Sequence, residues 1–341
     1  MKKTLIALAA MASMSAFAQS SVTLYGVADI WFGQAKTSLY SPTTGLLLTP
    51  GAGTTPASNG TAQTVLNSGG LNGSRWGLKG SEDLGGGLKA NFQFESGFNL
   101  DTGTSAQGAL FGRQAFVGLS GGFGEVRFGR QYTAYDELRG ATNSTFDSAF
   151  TPTGNVWTAT GGDYAGRANN QLYYATPDFG GFSGAIGYAL GEDKTATTNA
   201  SSTLSLHAKY ANGPILVGIA HQSEKLPAGT NKYTLLAGSY DFGVVKLTGG
   251  YNDGKAGGVN QPKQKEFQLG LSAPIGAATI SAGYAQGKAG NTKSNGFGLA
   301  ATYDLSKRTA AYAGLETDKA KDTGVTIAKN TLYAVGVRHR F

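Results

Sequence analysis

The sequence predicts an all-β chain that folds as a 16-stranded antiparallel transmembrane β-barrel. Three observations lead to this prediction. Apolar and polar residues alternate along many segments, tight turns alternate with longer polar segments, and no apolar stretch reaches 18 residues in the body of the chain. A strand that is apolar on one face and polar on the other, over about ten residues, suits a sheet with lipid outside and water inside.

The N-terminus predicts export from the cytoplasm. Lys2 and Lys3 precede an uncharged apolar stretch at 5–17, and the sequence Ala16-Phe17-Ala18 supplies the small residues that a signal peptidase reads. The stretch is shorter than the roughly 20 residues that a membrane-spanning helix needs. We therefore expect a signal peptide at 1–18 and a single barrel domain at 19–341.

Composition narrows the class further. The chain has 53 Gly, 16 Tyr, 14% charged residues and no Cys, which favours a large sheet with many turns and excludes disulfide bridges. The formal net charge of +7 becomes +5 without the two lysines of the predicted signal peptide. Because the basic residues are scattered and form no long run, we expect no nucleic-acid partner.

Alternation is clearest in four internal segments and in the last one. The apolar positions of the internal segments are Ala90, Phe92, Phe94 and Phe98; Leu204, Leu206, Ala208 and Tyr210; Phe267, Leu269 and Leu271; and Phe297, Leu299, Ala301 and Tyr303. Polar residues lie between most of them. The final segment alternates from Tyr333 to a terminal Phe341, which is similar to the signal that barrel-assembly machinery reads.

The connections give the strand count. Tight Gly, Pro and Asp turns occur at 83–87, 120–124, 177–181, 211–214, 241–243, 273–276 and 304–308, and longer polar segments at 37–73, 99–110, 132–167, 192–201, 224–230, 254–263, 288–292 and 319–329. Seven short and eight longer connections join sixteen strands. An even number closes the sheet and leaves no unpaired edge in lipid, and sixteen strands leave an aqueous lumen.

Catalysis has little support in the sequence. The three histidines, His207, His221 and His339, have no metal-ligand spacing, and cysteine is absent. The glycine clusters are turns, with no following helix to bind phosphate. We therefore expect no catalytic residue, no metal ligand and no cofactor, and the chain is not predicted to be an enzyme.

Five segments carry a family resemblance. The segments 20–29 (SSVTLYGVAD), 74–98, 113–131, 169–188 and 336–341 (GVRHRF) closely resemble the general trimeric porins of β-proteobacteria, of the Comamonas, Bordetella, Burkholderia and Neisseria type. The resemblance implies a homotrimer in the cell outer membrane, surrounded by lipid and lipopolysaccharide, that passes small ions and hydrophilic solutes. It also implies that the long third external segment, 132–167, folds into the barrel and narrows the pore.

The same resemblance implies the pore-constriction residues. Anion selectivity in these porins comes from wall arginines that face acids near the loop, which carries over to Arg75, Arg113 and Arg167 with Glu95 and Asp147. Simple alternation agrees for Arg75 and Glu95, which have the inward parity. Arg113 has the parity of the outward residues of its strand, so it is expected outside the lumen unless a bulge intervenes or it lies above the hydrocarbon band.

The leading prediction is a general diffusion porin with weak anion selectivity. A solute-specific channel, or a plugged barrel acting as an adhesin or enzyme, stays open at this point. Small residues in the first and last strands, Gly26, Ala28, Ala311, Ala313 and Gly314, are where the trimer contact is expected.

Overall fold

The computed structural model describes residues 21–39, 60–160, 164–258 and 261–341, so the predicted signal peptide lies outside the described residues. The chain forms an antiparallel sheet closed on itself. Its strands are β1 (Ser21–Leu39), β2 in two segments (Gln63–Ser68 and Arg75–Gly85), β3 (Leu88–Gly97), β4 (Gln114–Gly121), β5 (Gly124–Tyr132), β6 (Arg167–Ala175), β7 (Phe182–Leu190), β8 (Ser202–Asn212), β9 (Ile215–Leu226), β10 (Gly229–Asp241), β11 (Lys246–Lys255), β12 (Lys263–Ile275), β13 (Ala278–Ala289), β14 (Thr292–Asp304), β15 (Thr309–Asp322) and β16 (Val325–Arg340).

The predicted count of 16 strands is confirmed. The described residues hold 17 strand segments, and two of them, Gln63–Ser68 and Arg75–Gly85, pair end to end along β1 as one interrupted strand. Each strand pairs with its sequence neighbour, and β16 pairs with β1. The closure is completed at the C-terminus, where Phe341 and Gly26 exchange two backbone hydrogen bonds of 3.1 and 2.9 Å.

The two faces of the barrel differ as the alternation predicts. In β12, Phe267, Leu269 and Leu271 are exposed on the outside, whereas the alternate residues Glu266 and Gln268 are buried on the lumen side. This arrangement places apolar side chains against lipid and satisfies polar side chains inside, which is the favourable partition for a membrane barrel.

The external strand ends are longer than the sequence indicates. The predicted longer segments 224–230, 288–292 and 319–329 lie mostly within strands, which are joined by turns at 227–228, 290–291 and 323–324. Above the hydrocarbon layer both faces of a strand meet water, so the apolar–polar alternation disappears while the backbone pairing continues. The sequence pattern therefore predicts shorter strands and longer connections at this end than the structure has.

The described residues of the third external connection, 133–160 and 164–166, fold into the barrel as the resemblance implies. They contain α1 (Ala134–Thr142), a 3-10 turn (Thr145–Asp147) and α2 (Thr153–Thr158). Thr133 caps α1 by accepting a hydrogen bond from the backbone N–H of Asp136. Across the described residues, no helix is long and apolar enough to cross a membrane.

This inward loop covers the lumen side of β8 to β15. Tyr135, Leu138 and Trp157 of the loop pack in one apolar cluster with Tyr233 and Leu235 of β10. Hydrogen bonds flank the cluster, from Tyr135 Oη to Asn252 Oδ1 (2.8 Å), Thr160 Oγ1 to Glu266 Oε1 (2.8 Å) and Thr153 Oγ1 to Gln268 Oε1 (3.0 Å). Because the loop is fixed to this wall, the open passage lies on the opposite side, beside β2 to β6.

Candidate pore constriction

A polar cavity of about 430 Å³ lies between the inward loop and the opposite barrel wall. Arg75, Arg113 and Arg167 line it from the wall, and Asp147 lines it from the loop. Glu95, the fifth residue predicted from the sequence, contacts two of these arginines. The structure therefore brings all five predicted residues to one level of the pore.

Glu95 is the carboxylate that organises the wall. It is only 4% exposed on β3. Its Oε1 accepts a 2.7 Å hydrogen bond from Arg113 Nε, and its Oε2 lies 3.7 Å from Arg75 Nε and accepts a 2.9 Å bond from Tyr25 Oη. Charge-assisted bonds of this kind fix the direction of a guanidinium group more firmly than solvent contact does.

Arg113 lies in the lumen, so the placement outside it that alternation indicated is wrong. The strand β4 begins at Gln114, and Arg113 belongs to the turn before it, where its backbone N–H donates to the Glu95 carbonyl (3.2 Å). Alternation holds only inside a strand, so it does not apply to the residue before one. Arg113 is 9% exposed, and its side chain donates from Nη2 to Tyr132 Oη at 2.7 Å.

Tyr132, at the end of β5, was missed by sequence reasoning. Its hydroxyl accepts hydrogen bonds from both Arg113 and Arg167, and its ring lies 4.0 Å from the guanidinium carbon of Arg167. A guanidinium over an aromatic face is attracted by the ring quadrupole. The feature in the sequence that could have identified it is its position at the end of β5, directly before the inward loop.

Asp147 projects from the tip of the inward loop. Its Oδ1 accepts a 2.6 Å hydrogen bond from Asn143 Nδ2. Thr145, Phe146 and Asp147 have φ values of 50°, 66° and 50°, a left-handed conformation that costs L residues with side chains about 1 kcal/mol or more each. Thr151 Oγ1 donates to the Ser144 carbonyl (2.7 Å) across this turn, which holds the strained tip in place.

The loop also supplies a cation and a second acid that the sequence reasoning missed. The guanidinium of Arg139 lies between the rings of Trp157 and Tyr164, at 5.1 and 5.0 Å from their centroids. Arg139 Nη1 donates to Tyr164 Oη (3.0 Å), which in turn donates to Asp136 Oδ1 (2.5 Å). Burial raises the pKa of Asp136, against the opposing effects of the Tyr164 hydrogen bond and the Arg139 charge.

The charges at this level nearly balance. Among the residues that the structure describes, four guanidinium groups (Arg75, Arg113, Arg139 and Arg167) and three carboxylates (Glu95, Asp136 and Asp147) surround the passage, so these groups, when ionised, leave 4 − 3 = +1. Glu95 holds Arg75 and Arg113 directly, and Asp136 is linked to Arg139 through the Tyr164 hydroxyl. The arrangement can concentrate anions in the passage without enclosing them, because the cavity is open to solvent.

Asp29 does not line the passage but anchors the segment that connects the barrel wall with the tip of the inward loop. This buried carboxylate on β1 accepts the backbone N–H groups of Gly70 (2.9 Å), Leu71 (3.0 Å) and Asn72 (2.8 Å), where β2 is interrupted. Tyr312 Oη adds a 2.5 Å hydrogen bond. Three convergent amides make a concave anion site in the backbone, here occupied by the chain's own carboxylate.

The segment held by Asp29 contacts both sides of the passage. The Gly70 carbonyl accepts the N–H of Ala149 in the inward loop at 2.9 Å, and Leu71 packs with Phe150 of that loop. The Gly73 carbonyl accepts a 3.3 Å hydrogen bond from Arg75 Nη1. Asp29 therefore acts on the constriction through backbone, without lining it.

Comparison with known proteins agrees with this architecture. The Gram-negative porin family matches residues 4–323. The chain belongs to that family. An outer-membrane porin of Bordetella pertussis is 35% identical over the full length of both chains. The solved anion-selective porin of Comamonas acidovorans has a TM-score of 0.80 and 30% identity, covering 95% of this chain and 100% of that one.

A more distant structure shares the fold alone. The trimer form of OmpT from Vibrio cholerae has a TM-score of 0.67 and 17% identity, covering 94% of this chain and 99% of that one. With the family established, the predictions of an outer-membrane location and of a general diffusion porin are confirmed. The family consists of channels rather than enzymes.

Proposed function

We propose that this porin is a weakly anion-selective channel and that the wall arginines Arg75, Arg113 and Arg167 set the ion preference. The observation that carries the proposal is the convergence of guanidinium groups on one cavity, while the neighbouring carboxylate of Glu95 is engaged by Arg75 and Arg113. Glu95 orients the cluster, and the negative charge of Asp147 on the facing loop keeps anions from binding so tightly that they fail to leave.

The preference should be weak because the passage is wet. In water-filled space each charge acts through a high dielectric constant, and its field decays over about 10 Å at 0.1 M salt. An anion therefore keeps most of its hydration shell and is concentrated near the arginines, not captured. The same screening predicts that the preference fades as salt rises.

A binding channel for one solute has less support. Such a channel would need free aromatic faces along the lumen, whereas the aromatic rings of Tyr132, Trp157 and Tyr164 lie against guanidinium groups. A plugged barrel acting as an adhesin or enzyme is disfavoured by the open cavity beside the loop.

The test is the zero-current potential of the wild-type channel in a planar bilayer across a tenfold KCl gradient. We expect a stable open conductance and a potential whose sign shows preferential passage of Cl⁻. A potential of the opposite sign would refute anion preference and leave the porin assignment intact, whereas the absence of conductance would favour the plugged barrel.

We also propose a homotrimer formed through the outer face of β1, β15 and β16. Ala311 and Ala313 point outward, opposite Val337 and Val335 on β16, and Gly26 lies on the same face beneath the Phe341 ring. Gly314 does not belong to this surface, because it faces the lumen beneath Phe150. Chemical cross-linking after mild detergent extraction should give a three-chain product, and a purely monomeric pattern would refute the trimer.

A further inference from the structure

A row of lysines crosses the outer face of the barrel near its external end. Lys232 of β10 is directly opposite Lys255 of β11, which is itself opposite Lys263 of β12. Lys265 of β12 then faces Lys288 of β13. The row continues from Lys288 to Lys293 of β14 and on to Lys321 of β15, and Lys319 of β15 faces Lys329 of β16. We call this row the lysine belt.

The belt points toward the membrane side of the barrel. In β12, Lys263 and Lys265 are exposed and continue the face of Phe267 and Leu269, while the alternate Gln264 and Glu266 are buried against the lumen. Lys288 likewise shares the outward face of Tyr284 on β13, and Lys293 shares the outward face of Phe297 on β14. These lysines therefore lie outside the pore, and ion selectivity does not account for them.

The height of the belt matches a headgroup layer. Lys288 and Lys293 lie four residues beyond the outward rings Tyr284 and Phe297, about 13 Å along a strand and about 9 Å in height for a strand tilted by roughly 45°. The belt adjoins the turns at 227–228, 290–291 and 323–324, on the same end as the inward loop. It is thus just above the apolar band, on the external side.

Directly opposed lysines need a counterion. Like charges in facing positions of neighbouring strands destabilise a sheet, with Cβ atoms about 4.5–5.5 Å apart. In the described part of the chain, the ion pairs within 4.0 Å all involve arginines, and Asp253 opposite Lys265 brings one carboxylate to this face. A repeated lysine pair across successive strands is therefore poorly neutralised by the protein itself.

We propose that the lysine belt binds the phosphate groups of lipopolysaccharide, the glycolipid of the external leaflet of the outer membrane. Because β15 and β16 belong to the proposed trimer contact, the part of the belt that faces lipid lies on five adjacent strands, β10 to β14, which is about 19 Å at about 4.8 Å per strand spacing. That width accommodates a headgroup with several phosphates. Lysine suits such a ligand because its flexible stem and compact charge follow phosphates whose positions vary.

The belt is tested with the purified full-length barrel in detergent, titrated with lipopolysaccharide and followed by calorimetry. Neutralising the centre, in the variant K265Q/K288Q/K293Q, should weaken binding about 100-fold, because each lysine near an anionic surface contributes about fivefold. The control K194Q/K307Q/R308Q removes three exposed charges elsewhere and should bind as the wild type does. The variant K265R/K288R/K293R keeps the charge and should also bind.

Two further ligands identify the chemistry. Dephosphorylated lipopolysaccharide should lose most of its affinity for the wild type, and phosphatidylglycerol micelles should bind more weakly than intact lipopolysaccharide. Unchanged binding by K265Q/K288Q/K293Q, equal loss in the control, or equal binding of dephosphorylated lipid would overturn the proposal. Equal affinity for phosphatidylglycerol would overturn the choice of lipopolysaccharide. Wild-type conductance of the belt variant verifies that the barrel is folded.

Discussion

The cations inside the pore and those on the outer surface are built in different ways. Inside, Arg113 and Arg167 are held by Glu95, by the Tyr132 hydroxyl and by the face of its ring. Outside, the lysines of the belt face one another across the strands, and they are exposed. The interior uses guanidinium groups with fixed partners, whereas the exterior uses ammonium groups without them.

The choice of guanidinium or ammonium groups follows from the species that each surface contacts. A passing ion stays briefly at the constriction, so the field there must exist before the ion arrives, and planar guanidinium groups with several donors can be fixed in advance. A lipid headgroup stays and varies in position, so flexible side chains can adapt to it. We therefore expect interior variants to act through preorganisation and exterior variants to act through charge alone.

The largest effect should come from Asp29, which supports the interior from behind. Asp29→Asn removes the charge and presents an amide N–H₂ to backbone donors, so we expect the free energy of unfolding to fall by about 2–4 kcal/mol. The loop tip at Ala149 should also become less firmly held, which would increase fluctuations of the open-channel current. Urea unfolding and single-channel recording measure the two effects.

The matched control for Asp29 is Asp193→Asn. Asp193 also accepts from the chain, through the Ser201 N–H and hydroxyl at 2.6 Å each, but it lies on an exposed external loop. We expect this variant to keep wild-type stability and current noise. Wild-type stability and current noise in Asp29→Asn would show that the constriction does not depend on the hydrogen bonds from the 70–72 amides to Asp29.

A smaller effect is expected from acidification. Because burial raises the pKa of Asp136, this carboxyl takes up its proton at a higher pH than an ordinary aspartate, about 3.9. Protonation of Asp136 removes a negative charge from the passage, so anion preference should increase as the pH falls through that raised pKa. The zero-current potential measured between pH 7 and pH 4 records the change.

Asp136→Asn isolates this titration. The variant should show at pH 7 the stronger anion preference that the wild type reaches only at lower pH, and its own pH dependence should be flatter. If wild type and variant follow the same pH profile, Asp136 does not contribute to the field of the passage.

Sequence patterns predicted what depends on position within a strand. The outward parity of Phe267 and Leu269 and the inward parity of Arg75 and Glu95 agree with the structure, because each lies inside a regular strand. Arg113 was misplaced because it precedes its strand by one residue. External strand ends were misjudged because alternation vanishes once both faces of a strand are polar.

Other features depend on contacts that a single sequence does not display. Arg139 and Tyr132 join the constriction only because the inward loop brings residues distant along the chain together. The lysine belt requires the strand register, since Lys265 and Lys288 become neighbours only when β12 and β13 are aligned. The sequence shows the charges at these positions but not their partners.

The most direct test of the central claim is the zero-current potential of the variant R75Q/R167Q beside the wild type and a control, K79Q/K89Q. The control removes two cations from lumen positions on β2 and β3 away from the arginine cluster. Replacing the two arginines should shift the potential clearly toward cation preference with conductance largely retained, while the control shifts it less. A potential unchanged in R75Q/R167Q, or an equal shift in both variants, would contradict the assignment of ion preference to the wall arginines.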